Sequence, residues 1–157
     1  MIVNAKGGRK LVHLLHDLSQ PWANAIESWW SWIRWVQSFS SIIIHLGTND
    51  IPECSVEDAV LRLSNCIHLL KSISPDCKLY ACKIGPRNSQ GNHRYPPDAP
   101  ALTMKIELYN NLIHQIPNLI VFATTYNLHK SPDGLHLGFE QSMSLRNQIV
   151  SFLRYHD

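Results

Sequence analysis

Four short runs of apolar residues are spaced along the chain and predict buried strands: residues 1–5 (MIVNA), 41–47 (SIIIHLG), 78–84 (KLYACKI) and 119–125 (LIVFATT). Each run is rich in β-branched or aromatic residues and ends near the Gly, Pro, Asn or Thr of a turn. The runs are continuously apolar instead of alternating, which is typical of strands in a parallel sheet that is covered on both faces.

Helical periodicity lies between these runs. Residues 56–73, 101–116 and 139–155 each place apolar side chains three and four positions apart on one face. Ser55 is the predicted N-cap of the first of these helices. A tryptophan-rich segment, residues 21–39, repeats the helical spacing. Strands that alternate with helices predict the α/β class, with three layers in the order α/β/α and a mostly parallel sheet.

Length and composition predict one globular domain that covers residues 1–157. Hydrophobic residues make up 45% and charged residues 17% of the chain. The net charge of +2, with scattered Lys and Arg, does not indicate a nucleic-acid partner. No apolar run reaches the roughly 18 residues of a transmembrane helix, and no signal peptide is visible, so we expect a cytoplasmic protein.

The four cysteines predict buried, reduced thiols. None of them is paired in a CxxC motif, which argues against a structural zinc site. His13 and His16 share a predicted helix face, but the sequence offers no third ligand beside them. We therefore expect no metal and no cofactor.

The segment HLGTND, residues 45–50, follows the second predicted strand and contains the first candidate for chemistry. Asn49 carries a neutral amide whose N–H groups can stabilise a developing oxyanion without titrating. The alternative interpretation is an ordinary turn that ends a strand, because Gly, Thr, Asn and Asp are common there.

The segment SPDGLHLG, residues 131–138, follows the last predicted strand. Asp133 lies three residues before His136, so its carboxylate can accept the Nδ1 hydrogen of the imidazole and leave Nε2 free as a general base. Histidine suits this role because its pKa lies near neutrality. The alternative is a loop aspartate that caps the following helix.

Together these segments resemble the SGNH, or GDSL-like, hydrolases over almost the whole chain. HLGTND is similar to the family's third sequence block and SPDGLHLG to its fifth. The resemblance implies that Asn49 is an oxyanion-hole residue and that Asp133 and His136 are the acid and base of a catalytic triad. VNAKGGRKL is similar to the second block, where Gly8, with Gly7 as the alternative, would add a backbone N–H. The substrate would be an ester-containing small molecule, a lipid or an acylated sugar.

The chain departs from the family because it contains no Gly-Asp-Ser triplet and hence no family nucleophile. Ser131 lies on the loop of Asp133, Ser40 and Ser41 lie at the wrong end of their strand, and Ser89 lacks a sharp strand-to-helix turn. No nucleophile is therefore identified, and we expect the chain as given to be inactive and incomplete at its N-terminus.

In the flavodoxin-like strand order of this family, the missing first strand would lie between residues 1–5 and 41–47. Without it those two strands must pair directly, or a partner strand or self-association must cover the gap, since unpaired buried backbone groups are costly.

The longest irregular stretch, residues 85–100, leaves the third predicted strand at the end where open α/β sheets bind ligands. Arg87 and His93 are candidate substrate contacts there.

Two alternatives to a hydrolase stay open. One is a non-catalytic SGNH-like binding or interaction module, including a retroelement-derived remnant, since HLGTND, KIGPR and DGLHL resemble esterase-like domains of some retroelement proteins. The other is an unrelated flavodoxin-like domain, although no phosphate-binding glycine loop is present.

Overall fold

The computed structural model describes residues 9–19, 32–85, 99–124 and 139–156. Five helices and three strands lie in these ranges. In chain order they are α1 (Leu11–Ser19), α2 (Trp32–Gln37), β1 (Ser41–Ile44), α3 (Val56–Ile73), β2 (Lys78–Cys82), α4 (Ala99–Leu112), β3 (Leu119–Phe122) and α5 (Phe139–His156). A short 3-10 turn, Ile113–Gln115, follows α4.

The three strands form one parallel sheet in the order β1-β2-β3. Ser41 pairs with Lys78, and Leu79 pairs with Leu119. Three of the four strand predictions are confirmed, although each observed strand ends two or three residues earlier than its apolar run. The fourth predicted strand, residues 1–5, lies outside the described residues.

The sheet separates two apolar cores. On one face, Leu79 and Ala81 belong to the core that α1, α3 and α4 complete. On the other face, Tyr80 and Phe122 pack against α5, where the Phe152 ring stacks on Phe122 with centroids 4.2 Å apart. This arrangement confirms the predicted three-layer α/β/α architecture with a parallel sheet.

Helix α3 has the bounds that the periodicity predicts. Its N-cap Ser55 accepts a hydrogen bond from the Asp58 backbone N–H at 3.0 Å, so one of the unpaired donors of the first turn is satisfied. At the other end, the Lys71 ammonium donates to the carbonyl oxygens of Pro75 and Cys77 at 2.9 and 2.8 Å. A cation is favourable at a helix C-terminus. Both ends of α3 are therefore fixed by local side chains.

Helix α5 begins at the predicted Phe139 and ends one residue later than predicted, whereas α4 differs from the prediction at both ends. Helix α4 begins at Ala99, two residues early, because Pro100 needs no backbone N–H partner in a first turn. It ends at Leu112, and the chain tightens into the 3-10 turn before β3. Of the tryptophan-rich segment the structure describes α2, with Val36 fully buried. Within the described ranges, no helix is both long and apolar enough to cross a membrane.

Candidate functional site

The loop after β1 begins with a turn that only glycine accommodates. Gly47 has φ = 114°, a backbone conformation that other residues rarely adopt. A Cβ at this position would lie 2.7 Å from Ile84 Cδ1 and 2.9 Å from Tyr109 Oη. The Gly47 carbonyl oxygen accepts hydrogen bonds from the N–H groups of Asp50 and Ile51 at 2.9 and 3.0 Å. The chain thus turns sharply at the carboxyl edge of the sheet.

Asn49 lies on this turn and is partly buried. Its Nδ2 donates a hydrogen bond to the backbone oxygen of Arg9 at 3.4 Å, a long contact. A primary amide nitrogen carries two hydrogens, so the second one is available for another acceptor. The structure therefore brings the Asn49 amide beside the residue that follows Gly8 in the chain.

Asp50 is a buried charged residue that the sequence analysis did not single out. Its side chain is fully buried, and Oδ2 accepts the backbone N–H of Leu11, the first residue of α1, at 3.0 Å. Oδ1 lies 3.3 Å from Nη1 of Arg62 on α3. The carboxylate satisfies an unpaired donor at a helix N-terminus and also has a cationic partner. Two features of the sequence could have indicated this ion pair: an acidic residue directly after Asn49, and an arginine between two leucines of α3.

The neighbouring strand end is held by a side chain of α4. Oδ1 of Asn110 accepts the Ile84 N–H, and Nδ2 of Asn110 donates to the Ile84 oxygen, both at 2.9 Å. A side-chain amide thus replaces a missing sheet partner just beyond β2. These paired bonds fix the Ile84 backbone where its side chain packs against Gly47.

Two titratable groups near the turn are held neutral at physiological pH. Burial lowers the pKa of His45, so its imidazole favours the uncharged form. Burial, followed by the nearby Asp50 carboxylate, raises the pKa of the Tyr109 phenol. Among the described residues, no group of three His, Cys, Asp or Glu side chains could hold a metal ion.

The structure describes one of the predicted site residues, Asn49. Four others, Arg87, His93, Asp133 and His136, lie outside the described residues, as does Gly8. Of the serines considered as substitutes for the missing nucleophile, Ser89 and Ser131 also lie outside. Ser41 is the first residue of β1, at the opposite end of that strand from Asn49.

Comparisons with known proteins point to a fold. No protein-family description matches the chain, and no curated protein matches it. Fifteen chains of solved structures match. One of them, from Streptococcus pneumonia, is described as "a putative platelet activating factor". It superposes with a TM-score of 0.64 over 93% of this chain and 69% of its own, at 19% sequence identity. At that identity the likeness shows a shared α/β fold.

Proposed function

We propose that the chain is of the SGNH ester-hydrolase type, a type that transfers an acyl group to water by a Ser-His-Asp mechanism, and that the nucleophile serine is absent from these 157 residues. The observation that carries this proposal is the position of Asn49, beyond the carboxyl end of β1, with its amide beside Arg9. In the family pattern, the side-chain amide of the third block and the glycine N–H of the second block face one crevice. Gly8 directly precedes Arg9, so the contact between Asn49 and Arg9 is what this pattern predicts. The shared α/β fold supports the same assignment.

The proposed roles follow from the chemistry of each group. Asp133 accepts the Nδ1 hydrogen of His136, and His136 Nε2 removes a proton from the attacking group. The amide of Asn49 and the N–H of Gly8 stabilise the oxyanion as the carbonyl of the ester becomes tetrahedral. An amide donates without titrating, so this stabilisation is independent of pH near neutrality. Arg87 and His93 are proposed to contact the substrate, which is an ester of a small molecule, a lipid or an acylated sugar.

The 157 residues contain no Gly-Asp-Ser triplet, so we propose that this chain does not form an acyl-enzyme. The remaining groups still favour direct attack by a water molecule on a bound ester. When one triad member is removed from a serine hydrolase, roughly 10³-fold to 10⁴-fold acceleration over water is left, because the oxyanion hole and substrate binding persist. The chain is therefore inactive as a serine esterase, and the proposal predicts only this slow residual hydrolysis by water.

The test is the initial rate of p-nitrophenyl acetate hydrolysis by the full chain at neutral pH. We expect Asn49→Ala to lower the protein-dependent rate by on the order of 10²-fold, the usual effect of losing an oxyanion donor. We expect His136→Ala to lower the rate less, because the residual rate comes mainly from the oxyanion hole and from substrate binding. Asn111→Ala and His68→Ala are matched controls, because both side chains are exposed on helices. Equal rates in all five proteins would sink the proposal.

A fluorophosphonate probe, which reacts with activated serines, tests the missing nucleophile separately. We expect no stoichiometric labelling of the 157-residue chain. Labelling that His136→Ala abolishes would show that one of its own serines acts as nucleophile, and the water-attack part of the proposal would then be wrong.

A second candidate function is a non-catalytic SGNH-like module, including a retroelement remnant, that uses the crevice for recognition. The absence of a Gly-Asp-Ser triplet favours it. Within the described residues β1 has a single strand neighbour, and a strand from residues 1–5, a partner strand or a second copy would each fit its other edge. Hydrolysis rates that do not depend on Asn49 and His136 would favour this module over the hydrolase.

A further inference from the structure

Three contacts tie the segment before α1 to the loop after β1. Asn49 Nδ2 donates to the Arg9 oxygen, Lys10 pairs with Glu53, and the Asp50 carboxylate accepts the Leu11 N–H. The contacts thus run from consecutive residues 9, 10 and 11 to one short loop. Leu11 and Asp50 are 39 residues apart in the sequence, so the fold and not the local chain brings them into contact.

Among these contacts, the one made by Asp50 is the most protected. Asp50 is fully buried, whereas Glu53 in the Lys10 pair is 46% exposed and the Asn49 bond is long at 3.4 Å. A buried bond to a carboxylate is stronger than an exposed pair or a stretched amide contact, because water does not compete with it. Of these three contacts, the bond to Asp50 therefore contributes most to holding residues 9–11 beside Asn49.

Arg62 is the cationic partner of this buried carboxylate. Its Nη1 lies 3.3 Å from Asp50 Oδ1, and its side chain is 34% exposed, so the guanidinium reaches inward from the surface of α3. A buried carboxylate without a cation is costly, which makes Arg62 the compensating partner. The contact uses one guanidinium nitrogen, so a lysine ammonium could take its place.

We propose that Asp50 is a positioning residue for Asn49: its carboxylate, paired with Arg62, fixes the Arg9–Leu11 segment so that the Asn49 amide is oriented at the carboxyl edge of the sheet. This assignment rests on the proposed function, in which Asn49 is an oxyanion donor. Asp50 does not touch the substrate. It acts through the Leu11 N–H and through the backbone that the Asn49 amide contacts.

The test uses the full chain and two NMR readouts, the side-chain amide signals of Asn49 and the hydrogen exchange of the Leu11 backbone amide. We expect Asp50→Asn to shift both Asn49 amide signals and to accelerate Leu11 exchange by roughly tenfold or more, as the loss of a buried charged bond implies. Phe152→Ala is the control, because Phe152 packs on Tyr80 and Phe122 in the core on the other face of the sheet, so its loss lowers stability without removing a contact of Asn49, Asp50 or Leu11.

Arg62 supplies a second pair of variants if Asp50→Asn does not fold. Arg62→Gln should reproduce the changes at Asn49 and Leu11, and Arg62→Lys should restore the wild-type signals. Unchanged Asn49 signals in both Asp50→Asn and Arg62→Gln would overturn the proposal, and so would equal changes in Phe152→Ala. None of these readouts involves ester chemistry, so the two tests can fail separately. If the hydrolysis test fails and the NMR changes are observed, Asp50 still positions Asn49, and only the catalytic assignment is wrong.

Discussion

At the scale of single residues, Gly47 is fixed by two independent constraints. Its backbone angle lies in the region that favours glycine, and the space that a side chain would need is occupied by Ile84 and Tyr109. The sequence suggests a turn at this position because a glycine follows an apolar run. The close approach of Ile84 and Tyr109 is invisible in the sequence, because the two side chains come from segments 37 and 62 residues further along the chain.

Gly47→Ala should destabilise the protein by about 2–6 kcal/mol, since backbone strain and overpacking each typically cost about 1–3 kcal/mol. Urea unfolding measures this change. The same substitution made in an Ile84→Val background should cost about 1 kcal/mol less, because valine lacks the Cδ1 atom at the 2.7 Å contact. Equal costs in the two backgrounds would show that the Ile84 contact does not contribute.

At the scale of elements, local signals predict the helices and strands well. Helix α3 has its predicted bounds because the apolar spacing, the Ser55 cap and the terminal charges all agree. The strands end earlier than their apolar runs, since hydrophobicity continues into turns that still pack on the core: Ile84 is buried although β2 ends at Cys82.

The candidate site is less predictable from the sequence than the elements that support it. Asn49 was identified from its position after a strand, and the structure describes it at that edge of the sheet. Asp50 was overlooked because its role depends on Leu11 and Arg62, which reach it through the packing of α1 and α3 and not through sequence spacing. The roles of Asp133 and His136 stay predictions.

At the scale of the whole molecule, the sheet divides the interior into two cores, and each contains at least one buried thiol. Burial raises the pKa of Cys66, in the core of α1, α3 and α4, to about 12, and it does the same for Cys82 beneath α5. Both thiols therefore stay protonated in the folded protein far above neutral pH. They are expected to be inert toward alkylating reagents until the protein unfolds.

The free energy of unfolding should fall as the pH rises from about 9 toward about 12. In that window the thiols of the unfolded chain ionise while those of the folded chain keep their protons, so higher pH favours unfolding, by at most about 1.4 kcal/mol per pH unit for each thiol. Below about pH 9 the thiols are protonated in both states, so their pH-dependent loss of stability has not begun. Urea unfolding at several pH values measures the slope, which should be shallower in Cys66→Ala/Cys82→Ala; an unchanged slope would contradict the assignment to these thiols.

The proposed hydrolase site depends on Asp133 holding His136 in the tautomer that has its hydrogen on Nδ1. His13 is an internal reference for the opposite tautomer, because its Nδ1 accepts the Lys10 backbone N–H at 3.1 Å. Long-range ¹H–¹⁵N NMR distinguishes the two forms directly. We expect neutral His136 to carry its hydrogen on Nδ1 in the wild-type chain and to lose this preference in Asp133→Asn. A His136 signal that matches His13 in both proteins would contradict the proposed acid–base pair.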